Sequence, residues 1–234
     1  MRTSAPVTRV VLVLAKAPVA GRVKTRLTPA ATPAGAADVA AAALLDTLDA
    51  AHAVPGARVV VALDGDPAAA ARREEIAAAL ADAVVVPQRG ESLGERITAA
   101  HGDVADTFPG AVSVQIGMDT PQVDATLLAD ALDLVTTDAE AALGHARDGG
   151  WWALALADPR QAKLIAEVPT SRDDTGDLTL AALRAGHPGH VLALPPLSDV
   201  DTPDDAVAVA DLVPTGRFAR AVADALPASG GLPR

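Results

Sequence analysis

Short apolar runs recur along the chain, at Val10–Leu14, Arg58–Leu63, Ala83–Val86, Ala111–Ile116, Ala139–Leu143, Trp151–Leu156 and His190–Leu194. Each is about the length of a buried strand and too short for a buried helix. Longer stretches with helical spacing lie between and after them, near Pro33–His52, Pro67–Ala81, Leu93–Asp106, Ala125–Thr136, Gly176–Ala185, Pro203–Leu212 and Arg217–Leu226. Leu127, Leu128, Ala131, Leu132 and Val135 recur at i, i+3 and i+4 spacings and mark one buried stripe. Thr32-Pro33 and Thr202-Pro203 each place a capping hydroxyl before a proline at the first helical position. Strands alternating with helices predict βαβ units. The expected architecture is three-layer α/β/α, with a mostly parallel central sheet and helices on both faces.

Two segments interrupt the alternation. Between Ala157 and Thr175, Pro159, Pro169 and the run Ser171-Arg172-Asp173-Asp174 predict an irregular excursion. Beyond residue 226 the Pro-, Gly- and Ser-containing tail, residues 227–234, is expected to be disordered, leaving residues 1–226 as a single domain. No internal repeat is visible.

Composition narrows the function classes. Of 234 residues, 50% are apolar but only 2% aromatic, so the core must be built from Val and Leu strands against Ala-rich helices. With 30 Asp and Glu against 19 Lys and Arg, the formal charge is −11, which argues against a nucleic-acid partner. There is no cysteine, so disulfides, thiolate zinc sites and a Cys nucleophile are excluded. Arg2 and Arg9 ahead of Val10–Ala15 imitate a signal peptide. That run stops at Lys16, short of the ~7–15 residues of a signal's apolar region, and no stretch approaches the ~18 residues of a membrane span. The expected setting is cytoplasmic. No exposed apolar stripe argues for an oligomer.

Against this acidic background one segment stands out. The first apolar run empties into Ala15-Lys16-Ala17-Pro18-Val19-Ala20-Gly21-Arg22-Val23-Lys24-Thr25-Arg26-Leu27, which carries four cations at a strand end. Ligands of open α/β folds bind outside the carboxyl ends of the strands. Lys16, Arg22, Lys24 and Arg26 there suit phosphate oxygens, Arg as a fork and Lys as a point charge.

Other segments carry oxygen ligands. Gly117-Met118-Asp119-Thr120-Pro121 follows Val112–Ile116, so Asp119 projects from a strand end, either to hold a divalent cation or to cap the following turn. Asp148-Gly149-Gly150 reads as a hairpin turn, or as a close approach of backbone to ligand with Asp148 orienting a hydroxyl or acting as a base. Asp199 and Asp201 form an i, i+2 pair that either chelates a cation or is loop solvation. Gly94 and Arg96, in Leu93-Gly94-Glu95-Arg96, open a helix after a strand and are expected to face the same crevice. The five histidines show no zinc spacing, and Trp151 and Trp152 fall on opposite sheet faces. The fingerprints G-x-x-x-x-G-K-[ST], G-x-G-x-x-G and G-x-S-x-G are absent, which argues against a P-loop NTPase, a Rossmann dehydrogenase and a serine hydrolase.

Taken together and in order, these blocks resemble a bacterial family of glycosyltransferase-A-like proteins within the nucleotide-diphospho-sugar transferase superfamily. The superfamily includes the molybdenum-cofactor and phospholactate guanylyltransferases. The resemblance also covers Val168-Pro169 and Asp199-Val200-Asp201-Thr202-Pro203, so it runs from Ala15 to about Asp205. It implies a Rossmann-like glycosyltransferase-A fold and a nucleotide or nucleotide-sugar ligand with its phosphates near Lys16 and the Arg22–Arg26 loop. It also implies Mg²⁺ or Mn²⁺ near Asp119, with Asp201 as the second acid. The chain departs from the family at Gly144-His145-Ala146-Arg147, Trp151 and Thr170, all where an acceptor would sit. The expected activity is metal-dependent glycosyl transfer from a nucleoside diphosphate sugar. Transfer of a nucleoside monophosphate from an NTP to a phosphorylated small molecule is the alternative, and a non-catalytic nucleotide-binding scaffold the third.

Overall fold

The computed structural model describes residues 7–186 and 190–226. Each apolar run forms a strand: β1 (Arg9–Lys16), β2 (Ala57–Asp64), β3 (Val84–Pro87), β4 (Val112–Gly117), β5 (Ala141–Ala146), β6 (Trp151–Leu156) and β7 (Val191–Leu197). They form one seven-stranded sheet in the order β3-β2-β1-β4-β6-β5-β7. Only β6 runs against its neighbours, because the turn after Ala146 returns the chain at once as a hairpin. The tail beyond residue 226 lies outside the described residues.

The helices are α1 (Pro33–His52), α2 (Arg73–Leu80), α3 (Leu93–Thr107), α4 (Ala125–Thr137), α5 (Thr175–Gly186), α6 (Pro203–Leu212) and α7 (Arg217–Ala225). The caps sit where the sequence places them: the Thr32 hydroxyl accepts from Gly35 N, and Thr202 forms a reciprocal capping box with Asp205. Two segments differ from expectation. The helix expected over Pro67–Ala81 is a single 3₁₀ turn, Pro67–Ala69, followed by α2, because Arg72 adopts a left-handed φ of 51° that no continuous helix accommodates. The irregular excursion contains its own 3₁₀ turn over Pro159–Ile165, with Ala162 and Ile165 buried.

Side-chain alternation divides the core between the two sheet faces. Val11, Val13 and Ala15 of β1 pack with α1, α2 and α4, while Val10 and Leu12 pack with α3. The two tryptophans follow the same rule, Trp152 on the first face and Trp151 on the second, with the Pro159–Ile165 turn and α5. Helix α1 is buried on two sides: Ala40, Leu44 and Leu48 meet the sheet layer, and Ala36, Val39 and Ala43 meet α6 and α7. Its many alanines allow that close double packing. Chain order reverses between β1 and β4, so a crevice opens at their carboxyl ends.

Candidate functional site

The crevice at this switch point has a volume of about 700 Å³. A side recess of about 290 Å³ opens beside it, sharing Lys16, Arg26, Met118, Asp119 and Asp201 with the main space. The four cations at the end of β1 and in the loop after it do not act alike. Lys16 lines both spaces and Arg22 lines the recess. Among the described residues, neither side chain has an acidic partner. Arg26 Nη1 lies 2.8 Å from Asp201 Oδ2 and keeps most of its surface in solvent.

Lys24 is the inward member. It sits in the left-handed region with φ 46°, and its Nζ lies 2.9 Å from Asp119 Oδ2 and 3.5 Å from Asp201 Oδ1, and also donates to the Val200 carbonyl. Burial draws the Lys24 ammonium toward neutrality, but Asp119, with Asp201 and Asp199, outweighs it and holds the pKa above its ordinary value. Lys24 is therefore a clamp that ties the acid after β4 to the acid before α6.

The acids themselves form a wider group than the sequence pair. Asp148, Asp199 and Asp201 each offer a carboxylate oxygen, and these atoms lie within 4.8 Å of one another. Three hard oxygen donors of this kind fit Mg²⁺ or Mn²⁺. Asp119, expected to pair with Asp201 around a cation, is outside this trio and bonded to Lys24. Burial, together with Asp148, Asp119 and Asp201, pushes the Asp199 carboxyl up to about 6. Asp148 itself is fixed by a turn: its Oδ1 accepts from Gly150 N at 2.8 Å. The Asp148-Gly149-Gly150 segment is thus both the hairpin turn and part of the crevice wall. At Gly149, φ is 91° and a Cβ would lie 1.9 Å from the Asp173 carbonyl oxygen, so only glycine lets this turn meet the loop ahead of α5.

One sequence expectation is corrected. Gly94 does not line the crevice. Its Cα faces the backbone of Ala166, where a Cβ would come within 2.1 Å of the carbonyl oxygen, so it serves the packing of α3 on the segment after the Pro159–Ile165 turn. Arg96 does line the crevice, with Nη1 3.3 Å from Asp64 Oδ2 and Nε donating to the Gly90 carbonyl. Sequence reasoning missed Asp64, Gln88 and Gln115, which also face the space. Gln115 had a visible signal, an amide within the apolar run of β4.

More than half of the chain, residues 47–172, matches the family model described as "Uncharacterized protein conserved in bacteria (DUF2064)". The chain belongs to that family. No curated protein sequence matches it. Among solved structures, a protein of Desulfovibrio desulfuricans G20, provisionally described as a nucleotide-diphospho-sugar transferase, superposes with a TM-score of 0.81. It is 26% identical over 94% of this chain and 97% of its own. A CMP:2-keto-3-deoxy-manno-octonic acid synthetase complexed with CTP matches at TM-score 0.55, 15% identical over 88% of this chain and 98% of its own. A nucleotidyl transfer protein from Methanothermobacter matches at TM-score 0.54, 15% identical over 90% of this chain and 98% of its own. At such identities these last two show the shared fold. The DUF2064 chain therefore has the α/β fold of nucleotide-diphospho-sugar transferases and nucleotidyltransferases. Among its described residues no helix is long and apolar enough to cross a membrane.

Proposed function

We propose that this DUF2064 protein is a glycosyltransferase that uses a nucleoside diphosphate sugar and a divalent cation. The observation that carries this reading is the pairing of unlike charges at one strand-end crevice. Asp148, Asp199 and Asp201 converge there, and Lys16 and Arg22, without an acidic partner among the described residues, stand beside the shared recess. A diphosphate with a divalent cation needs both, since the acids alone repel phosphate and the cations alone repel metal.

In this reading Asp148, Asp199 and Asp201 hold Mg²⁺ or Mn²⁺, which when bound neutralises charge developing on the departing nucleoside diphosphate. Lys16, Arg22 and Arg26 bind phosphate oxygens. Lys24 keeps Asp119 and Asp201 in place and offsets part of the acid charge. Asp148, at the hairpin beside Thr170 and Trp151, faces the acceptor side and orients the acceptor hydroxyl. The chemistry breaks the bond between the sugar's anomeric carbon and the diphosphate oxygen and forms a bond to the acceptor oxygen. The acceptor hydroxyl gives its proton to the Asp148 carboxylate as the new bond forms, and the nucleoside diphosphate leaves with the electron pair of the broken bond.

The side recess favours a second reading. Four cations around about 290 Å³ give room for a departing pyrophosphate, as nucleotidyl transfer from an NTP requires. Incubating the protein and Mn²⁺ with nucleotide sugars or NTPs, and following phosphate products by ³¹P NMR, tests the two. Release of a nucleoside diphosphate from a nucleotide sugar supports glycosyl transfer. Pyrophosphate released from an NTP moves the assignment to the second reading, and no product from any donor leaves only a binding protein.

A further inference from the structure

Beneath the crevice, on the α3 face of the sheet, three polar side chains interrupt an apolar layer. Ser113 and Gln115 of β4 meet His101 of α3, and all three are buried. His101 Nε2 lies 3.2 Å from Gln115 Oε1, and its Nδ1 lies 3.3 Å from Ser113 Oγ. Burial lowers the His101 pKa to about 4, so near neutral pH the ring carries a single proton. With that proton on Nε2, the ring donates to Gln115 Oε1, and Nδ1 accepts from the Ser113 hydroxyl.

This leaves the Gln115 amide nitrogen. Among the described residues nothing accepts from it, yet Gln115 lines the crevice together with Leu14, Leu93 and Ile97. A donor aimed into an apolar floor costs free energy unless something meets it. The crevice lining is also of two kinds, the ions Lys16, Asp64, Arg96, Asp119 and Asp201 and an apolar floor of Leu14, Leu93 and Ile97 between β1 and α3. A nucleotide is divided in the same way, into an anionic phosphate chain and an uncharged ring.

We propose that the nucleobase of the donor seats on this floor and that the Gln115 amide nitrogen donates to the keto oxygen O4 of uracil or O6 of guanine, the position at which cytosine and adenine carry an amino group, and so selects uracil or guanine. The inference rests on the nucleotide reading of the site and adds to it the class of base. An exocyclic amino group would meet the amide donor with another donor, leaving both unpaired, whereas a keto oxygen completes the network. His101 is a positioning residue here: it holds the amide oxygen down so that only the nitrogen faces the ligand.

Calorimetric titration of the full chain with UDP, GDP, CDP and ADP in the presence of Mn²⁺ tests this, repeated for Gln115→Leu and Gln115→Glu. The expected wild-type result is binding of UDP or GDP about tenfold tighter than of CDP and ADP, one good hydrogen bond's worth of discrimination. Gln115→Leu levels the four, and Gln115→Glu, an acceptor, shifts the ratio toward the amino bases. Nucleotide binding with no keto preference, or with a ratio that neither variant moves, overturns the base assignment and leaves the nucleotide reading standing. Binding of none of the four overturns both. A ¹⁵N NMR spectrum of His101 supplies a readout independent of affinity. Protonation at Nε2 is expected, and protonation at Nδ1 would turn the amide over and contradict the proposal.

Discussion

The two faces of the sheet are built differently. Toward α1, α2 and α4 the layer is apolar, mostly Val, Leu and Ala, with Leu44 and Leu48 of α1 fully buried against the strands. Toward α3 the same sheet buries His101, Ser113 and Gln115 directly under the crevice. The first face is organised only for packing. The second gives up apolar contact to orient one amide, that of Gln115, which lines the crevice. Polar exceptions in an apolar layer are informative about a site because burying them is otherwise unfavourable.

Substitutions can break or sharpen that contrast. On the apolar face, Leu48→Ala removes a fully buried side chain between α1 and the sheet and is expected to cost about 3 kcal/mol in chemical denaturation, without a change in ligand selectivity. On the polar face the signature is a pH dependence. His101 has its ordinary pKa near 6.5 when unfolded and about 4 when folded, so the unfolded chain binds the proton more readily between those values. Its contribution is intact above about pH 6.5 and is lost as pH falls toward 4, amounting to about 3 kcal/mol. Denaturant midpoints of wild type and His101→Leu at pH 7 and pH 4.5 should converge or cross as the pH falls. Parallel curves would mean that His101 is not buried in its neutral form.

Smaller effects sharpen the comparison. The Thr47 hydroxyl on α1 is buried and has no partner among the described residues. Thr47→Val keeps the shape and should stabilise the fold by about 1 kcal/mol, whereas removing the partnered Ser113 hydroxyl should destabilise it. At the surface, the exposed Arg160–Asp106 pair at 2.7 Å should be nearly silent. Arg160→Ala is expected to change stability by less than about 1 kcal/mol in the same assay.

Much of this architecture was legible in the chain because each strand of the sheet is a short, continuous apolar run. All seven were marked that way, as were the threonine-proline helix starts at Thr32 and Thr202. Helix α2 was overextended because Ala-rich sequence has helical propensity on both sides of Arg72, and its left-handed backbone is a tertiary outcome. The Pro159–Ile165 turn was hidden by its own proline punctuation. At the site, Lys16, Asp119, Asp148 and Asp201 were legible because each follows or precedes an apolar run, and the fold brings strand ends together. The division of labour among them was not. Lys24 meets Asp119 and Asp201 across long stretches of chain, and no local pattern encodes an ion pair of that range. Gly94 misled because a glycine beside a helix start looks the same whether it admits a phosphate or the backbone of Ala166.

The proposed function requires the acids and cations of one crevice to act together on a diphosphate. Its most direct test is calorimetric titration of wild type and Asp201→Asn with UDP and GDP, each with and without Mn²⁺. The account predicts that Mn²⁺ tightens diphosphate binding to wild type by tenfold or more and leaves Asp201→Asn, still folded, without that gain. Binding that is indifferent to Mn²⁺, or a gain that survives in Asp201→Asn, would contradict it.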